Sequence, residues 1–432
     1  MDIMDKKCIS LSNMQPPKTF QIHHPSGKLY DAFRKFSRAH PEASFFQSDA
    51  YFRFATHWPE AEAVLFVAVK GQKLQDPGIR YRPNGRPGQS WQPMKDAGAG
   101  AKSVPGSKQQ DGPGDSAQNK TKAQSETEGE TVVAGSLLAM IIREPTLQSP
   151  WLRPLRGLHR KLTARTIIYG GPLLAKGSRL EKEFVLKTLL HAVQEYVKKR
   201  SLFTEFRNLY DLVDYKPIFR ERNFEWEEWL NLLIDTRSRE DAWAKMSENR
   251  RRQVKKSLFA GVEIVYEPSP EQIDAFYEIL TSLYAKKVRK PLPSKSFFYA
   301  LAREAKPPDD SGLSPIILIV HNTRVIAGIA CPILPGKAMY EWYVCGLDKA
   351  YNEQDIYPST MVTWAAIAHA ADHNIPMFNF LGMGKPSQEY GVRDFKERFG
   401  GQQVRHGRFF AVNNRFRYAL AKMAYDIKYG KK

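Results

Sequence analysis

The sequence predicts a mixed α/β (α+β) fold made from one unit used twice, and three observations predict it. Runs of aliphatic and aromatic residues with strand character alternate with helix-like runs along most of the chain. One segment reads strand 165–171, helix 180–199, strand 202–208, and a later one reads strand 338–344, helix 358–373, strand 377–382. Tyr169 and Phe206 are separated by 37 residues, and so are Tyr343 and Phe380. Matched order and matched spacing together point to a duplicated unit.

The elements follow in order. Leu29, Phe33 and Phe36 sit at helical spacing within 27–38. FFQSDAYFRFA (45–55) reads as a second short helix entered from a loop, and VLFVAVK (64–70) as a strand. From 71 to 131 the chain is rich in Gly, Pro, Ser, Gln and Lys and holds nine basic and seven acidic residues. Such a composition buries too little apolar surface to offset the entropy of ordering. It predicts a disordered insertion joining two strands of one sheet, the second being GSLLAMIIRE (135–144). The near balance of charge argues against an RNA-contacting loop.

RTIIYGG (165–171) is a strand closing on a glycine turn, followed by a helix with Leu186, Leu190, Val193 and Val197 on one face and then by strand LFTEFRN (202–208). WLNLLIDT (229–236) is a strand, a strongly basic helix covers 239–259, and another helix covers 271–289. Strands PIILIV (315–320), RVIAGIACPI (324–333) and AMYEWYV (338–344) come in quick succession before helix 358–373 and strand MFNFLG (377–382). A strand hairpin followed by a helix and another strand suits the acetyltransferase (GNAT) fold. The chain is therefore expected to form two such domains in tandem, 18–225 and 226–404, with a ligand cleft between them. A basic C-terminal helix within 405–432 is expected to pack on the first domain, and Phe409, Phe410, Phe416 and Tyr418 read as core residues.

The formal net charge of +19 and pI of about 9.6 favour a polyanionic partner: nucleic acid, an anionic lipid surface or an acidic substrate. Cys8, Cys331 and Cys345 are far apart and odd in number, so neither a disulfide framework nor a zinc spacing follows, and a reducing cytoplasm is the expected location. The N-terminal MDIMDKKCISLSNMQPP lacks the apolar core of a signal peptide. No apolar run reaches the roughly 18 residues of a spanning helix, so any membrane contact is expected to be peripheral. His369 and His373 are four apart, but no Glu follows His369 and no third ligand is evident, so no metal is expected.

The stretch richest in chemistry is GMGKPSQEYGVRDFKERFGGQ (382–402). Gly382 and Gly384 end a predicted strand and allow a sharp turn or close approach to a ligand. Phe395 and Phe399 are four apart, so a helical turn puts both on one face with a partly desolvated Lys396 beside them; an amphipathic turn with a solvated lysine is the alternative. Arg250, Arg252, Lys255 and Lys256 form a dense basic run suited to phosphates, or simply a solvated helix face. Tyr343 and Tyr390 are candidates to line the cleft, with buried structural tyrosines as the other reading.

Several of these segments resemble the Fem family of peptidoglycan-bridge aminoacyltransferases. The stretch from AMYEWYVCG (338–346) through NFLGMG (379–384) to YGVRDFKERFGG (390–401) is similar to the family's C-terminal signature. RTIIYGGPLL (165–174) resembles its Arg…Gly-Pro turn, FFQSDAYFRF (45–54) its Phe-x-Gln-Ser entry, and AWAKMSENRRRQVKKSLFAGVEI (242–264) its basic helix before a Gly-Val strand. The resemblance implies transfer of an amino acid from aminoacyl-tRNA to an amine of a nucleotide- or lipid-linked peptidoglycan precursor, without a cofactor or a covalent enzyme intermediate. It places Lys396 at the developing oxyanion and Phe395 where it shapes and dries the site. The ester is already activated, so positioning supplies much of the rest. An acyl-CoA-dependent N-acyltransferase acting on a cell-envelope precursor is the second expectation. Its usual Arg/Gln-x-x-Gly-x-Gly/Ala loop is completed neither at Gly170–Gly171–Pro172 nor at Cys345–Gly346–Leu347. A non-catalytic nucleic-acid-binding protein is the third.

Overall fold

The computed structural model describes residues 17–70, 131–143, 163–288, 290–304, 313–389 and 391–429. The expected disorder of 71–131 falls, except for Thr131, outside these residues. Strands β1 (Lys18–Ile22), β2 (Ala61–Val69), β3 (Val133–Ile142), β4 (Arg165–Gly170), β5 (Leu173–Leu174), β6 (Phe203–Asn208) and β7 (Glu225–Glu227) come first. They are followed by β8 (Asn231–Asp235), β9 (Glu263–Val265), β10 (Ile316–His321), β11 (Arg324–Ala330), β12 (Ile333–Leu334) and β13 (Ala338–Tyr340). The last four are β14 (Tyr343–Gly346), β15 (Met377–Asn379), β16 (Gln402–Val404) and β17 (Arg408–Val412).

The first sheet runs β1-β2-β3-β4-β6-β17-β7, with β5 on β3. β2 and β3 pair antiparallel from Ala61↔Ile142 to Val69↔Val133, so the long insertion does join two neighbouring strands. β4 and β6 pair parallel, which requires a crossover, and the helix Arg179–Val197 supplies it. Its Leu186, Leu190, Val193 and Val197 are fully buried in a core with Val64, Phe66, Leu137, Ile168 and Phe206. Ser178 starts this helix with a capping box shared with Glu181.

The second half has two sheets, β14-β11-β10-β9 and β12-β13-β15-β8-β16. Here β13 and β15 pair parallel across the helix Pro358–Asp372. The strand–helix–parallel-strand unit therefore occurs twice, and the two sheets that contain it are mixed as expected, whereas β14-β11-β10-β9 is wholly antiparallel. The equal Tyr–Phe spacing is not the structural register, however. Ile168 faces Phe206, whereas Met339 faces Phe378, one residue further apart in the chain. Helix 358–372 is buried on nearly all sides, not along one stripe.

Further expectations are corrected. The predicted strand 338–344 is broken: Glu341 N–H donates to the Asn379 carbonyl on β15 and Trp342 N–H donates to the Ala330 carbonyl at the end of β11 (both 2.9 Å), so the chain changes sheets between these two residues. The basic helix 239–259 is two helices, Arg239–Lys245 and Glu248–Phe259, because Met246 is extended and buried and Ser247 caps a new start by accepting from Arg250 N–H. Helix 271–289 ends as an α-helix at Leu283 and continues as a π-turn, Tyr284–Val288. The segment 405–432 opens with β17, an interior strand of the first sheet, and its helix is Arg415–Tyr429. β7 straddles the expected boundary at 225/226 and pairs with β17.

An aromatic cluster joins the two halves. Phe46 stacks on Tyr169 (ring centroids 4.8 Å) and meets Tyr340 and Trp342 edge-on at 5.4 and 5.1 Å; Trp342 in turn packs on Phe297 at 5.0 Å. Beside it two distant motifs interlock. Gln47 donates from Nε2 to the Gly171 carbonyl (2.8 Å), while its Oε1 accepts from Ser44 N–H (3.0 Å) and Ser44 Oγ (2.8 Å). The Tyr210 hydroxyl donates to the Pro172 carbonyl. Gly170 has φ +84°, and a Cβ there would lie 2.5 Å from the Gln47 side chain. Gly170→Ala is therefore expected to lower the unfolding free energy by about 2–3 kcal/mol, measured by urea denaturation; a variant as stable as the parent would contradict the interlock.

Candidate active site

A cleft of about 890 Å³ is lined by both halves of the fold. From the first sheet come Arg165 and Tyr169 on β4, Glu205 and Arg207 on β6, and Arg408 on β17. From the second half come Trp229, Glu341, Trp342, Tyr343, Gly382, Gly384 and Lys396. Tyr284, Lys287 and Lys290 lie along another wall.

The charged cluster on the first sheet follows from strand geometry. Residues two apart on a strand share a face, so Glu205 and Arg207 point the same way. The antiparallel register places Arg408 opposite Arg207, a like-charge pair that is unfavourable unless something bridges it. Glu205 does so: it accepts from Arg207 at 3.0 and 3.2 Å and from Arg408 at 2.5 Å. The Tyr169 hydroxyl accepts from Arg207 at 2.7 Å, and the Arg408 guanidinium lies 3.5 Å over the Trp229 ring. Burial disfavours the Glu205 carboxylate, but Arg207 and Arg408 overcome this and hold its pKa at about 2. Burial and the neighbouring Arg207 lower Arg408 to about 10. Lys290, exposed at the cleft, is lowered by desolvation and by repulsion from Arg207 and Arg408.

The second cluster centres on Lys396, on the short helix Gly391–Glu397. The side chain is buried, and Nζ donates to the carbonyls of Phe380 (2.8 Å) and Gly382 (3.1 Å) and to Glu341 Oε1 (3.0 Å). An ammonium has three donors, and all three are engaged. The two carbonyls flank Leu381, whose φ of +55° is a left-handed conformation costing a non-glycine residue about 1–2 kcal/mol. Asn379 Oδ1 supports the same turn by accepting from Leu381 N–H at 2.9 Å. Gly382 and Gly384 continue it at φ +137° and +81°. Glu341 is buried, its pKa is raised by desolvation and only partly drawn back by Lys396, and its Oε2 has no hydrogen-bond partner.

The other sequence candidates lie elsewhere. Tyr343 lines the cleft, and Tyr390 is outside the described residues. Phe395 does not line the cleft; its ring faces the Arg250 guanidinium at 4.4 Å. Arg250 is a buried clamp that donates to Gln253 Oε1 (2.6 Å) and Thr360 Oγ1 (2.9 Å), and burial lowers its pKa to about 10. Arg252, Lys255 and Lys256 sit on the solvent side of helix 248–259, with Lys256 paired to Asp355 at 2.8 Å, and none lines the cleft. The structure thus brings Lys396, Gly382, Gly384 and Tyr343 together but not the basic run. Glu205, Arg207, Arg408 and Glu341 join them without having been site candidates, although Glu341 lies within the stretch 338–346 that resembles the family signature. The one signal for the first two is a Glu-x-Arg pair within an otherwise uncharged strand.

Residues 325–426, which include Glu341 and Lys396, match the FemAB family. The fold is similar to a crystal structure of FemX, with a TM-score of 0.54 at 11% identity, covering 93% of this chain and 99% of that one. A tandem GNAT protein from the clavulanic acid biosynthesis pathway gives a TM-score of 0.48 at 10% identity over 92% of this chain and 98% of that one. No curated protein matches.

Two stability measurements test the geometry. Lys396→Met strands the buried Glu341 charge and is expected to cost about 3–5 kcal/mol, much of which Lys396→Met/Glu341→Leu regains; equal loss in the single and double variants in urea melts would contradict the pairing. The folded-state pKa of Glu205 is depressed, so its contribution is present above the unfolded value of 4.5 and lost as pH falls toward about 2. That limb, of order 3 kcal/mol, is expected to flatten in Glu205→Gln when unfolding free energy is followed across this pH range.

Proposed function

On the premise that this is a Fem-family chain, as residues 325–426 and the fold indicate, we propose that it is an aminoacyltransferase moving an amino acid from aminoacyl-tRNA to an amine of a peptidoglycan precursor. The observation that carries the reading is the buried Lys396–Glu341 pair on the wall of a cationic cleft, within the stretch that matches the family.

The cleft chemistry suits two anionic substrates. Arg207, Arg408 and Lys290 bind phosphate of the precursor or of the tRNA end, where charge-assisted bonds are strongest in a partly desolvated site. Tyr343 and Trp342 supply apolar wall to position the reacting groups. The acceptor amine attacks the carbonyl carbon of the aminoacyl ester, forming a C–N bond, and the ester C–O bond to ribose breaks. The unpartnered Glu341 Oε2 takes the proton that nitrogen loses. Lys396 turns the N–H of its longest bond, that to Gly382 O, toward the developing oxyanion and then protonates the departing ribose oxygen. It recovers that proton from Glu341 across their 3.0 Å contact, so the pair returns to its starting state. No protein nucleophile enters the sequence, because the donor is already an activated ester.

Among the described residues no helix is long and apolar enough to cross a membrane, which fits enzyme and charged tRNA sharing the cytoplasm. The test is to offer the protein charged tRNA, acyl-CoA donors and precursor acceptors, and to follow the acceptor by mass spectrometry. A mass gain with charged tRNA is expected. A gain with acyl-CoA alone would overturn the donor assignment. Glu341→Gln keeps a hydrogen-bond acceptor for Lys396 but loses the base, so kcat is expected to fall about 10²–10⁴-fold with KM little changed. A binding protein without catalysis would show no transfer, and loss confined to KM would remove Glu341 from the chemistry.

A further inference from the structure

The last described helix, Arg415–Tyr429, presents its apolar face to solvent. Phe416, expected from sequence to be a core residue, is 75% exposed, and Leu420 and Met423 are 48% and 57% exposed. At 3.6 residues per turn these three positions fall within an arc of about 60°. The helix is held from its other side: the Tyr418 ring packs against Phe203 and Phe410 at 6.0 and 5.9 Å, and Asn414 Oδ1 accepts from Arg417 N–H at 2.9 Å. Its outward stripe is therefore displayed by a fixed helix.

Charge says what covers the stripe. Arg415 and Lys422 are exposed on one flank, with Asp426 one turn beyond Lys422, and Arg417 is partly buried on the other. The segment 385–432 carries twelve Lys or Arg against four Asp or Glu. An apolar stripe bordered by cations matches the boundary between lipid tails and anionic headgroups, where the rings and thioether insert and the basic side chains reach the phosphates. A second copy of the chain would bring the same positive border against itself, at a net charge of +19 per chain.

We infer that helix 415–429 is a membrane-surface anchor that lies in the interface of an anionic bilayer and seats the protein there. β17, which carries Arg408 into the cleft, leads directly into this helix. Within the proposed function, on which this last step rests, the anchor selects a lipid-linked acceptor over a nucleotide-linked one.

Flotation of the full-length protein with vesicles tests the anchor without donor or acceptor. Binding is expected to vesicles containing phosphatidylglycerol, to weaken in high salt, and to be absent with phosphatidylcholine alone. The Phe416→Ser/Leu420→Ser/Met423→Ser variant is expected to bind at least about tenfold more weakly, with an unchanged thermal melt. Failure of the parent protein to float overturns the inference, as does undiminished binding by the variant. A variant that turns a dimer into a monomer while vesicle binding persists assigns the stripe to self-association and also overturns it. Vesicle binding with no aminoacyl transfer would leave the anchor standing and the proposed activity refuted.

Discussion

The second half of the fold is organised around one buried ammonium. Lys396 ties the end of β15, the strand switch at Glu341 and a left-handed Leu381 into a single knot. Burying this charge without a partner would cost several kcal/mol; paired with Glu341 and two carbonyls, it holds a backbone shape that the local sequence disfavours. Strain of this kind persists only where the surroundings over-determine it, and here it shapes the cleft wall. In the proposed mechanism catalytic and structural duties fall on the same side chain, so loss of activity on removing Lys396 would not by itself distinguish them. Glu341 separates the two better, because an isosteric amide keeps the bond and removes the base.

The opposite wall works by a different balance. Two arginines face each other across β6 and β17 and are held by a single carboxylate. The cluster keeps a net positive charge, with Lys290 adding to it. A site built this way is pre-organised for a second anion, since its cations are oriented before any substrate arrives.

Much of the architecture is legible in the sequence because period-2 and period-3.6 patterns report burial directly. The core positions of helix 179–197 and the pairing of β2 with β3 across a long insertion follow from that. What escapes is whatever depends on long-range register. Arg408 gains meaning only because β17 inserts beside β6, and the basic run at 250–256 loses its expected place because helix 248–259 begins afresh at Ser247 and buries Arg250 against helix 358–372. Phe416 reads as core because an aromatic residue in a basic helix carries no mark of which side meets the sheet. The Phe-x-Gln-Ser and Gly-Gly-Pro segments are recognisable separately, but only the fold shows that Gln47 and Gly171 bond to one another.

β17 sits between β6 and β7 in the first sheet although the whole second half precedes it in the chain. As the polypeptide leaves the ribosome, the first half cannot complete its own sheet; until residues 408–412 emerge, β6 exposes an unpaired edge. Domains ordinarily settle one after another during synthesis, but this topology makes completion of the first sheet wait until residues 408–412 have been made. The cleft, which draws Arg408 from that late strand, is assembled last.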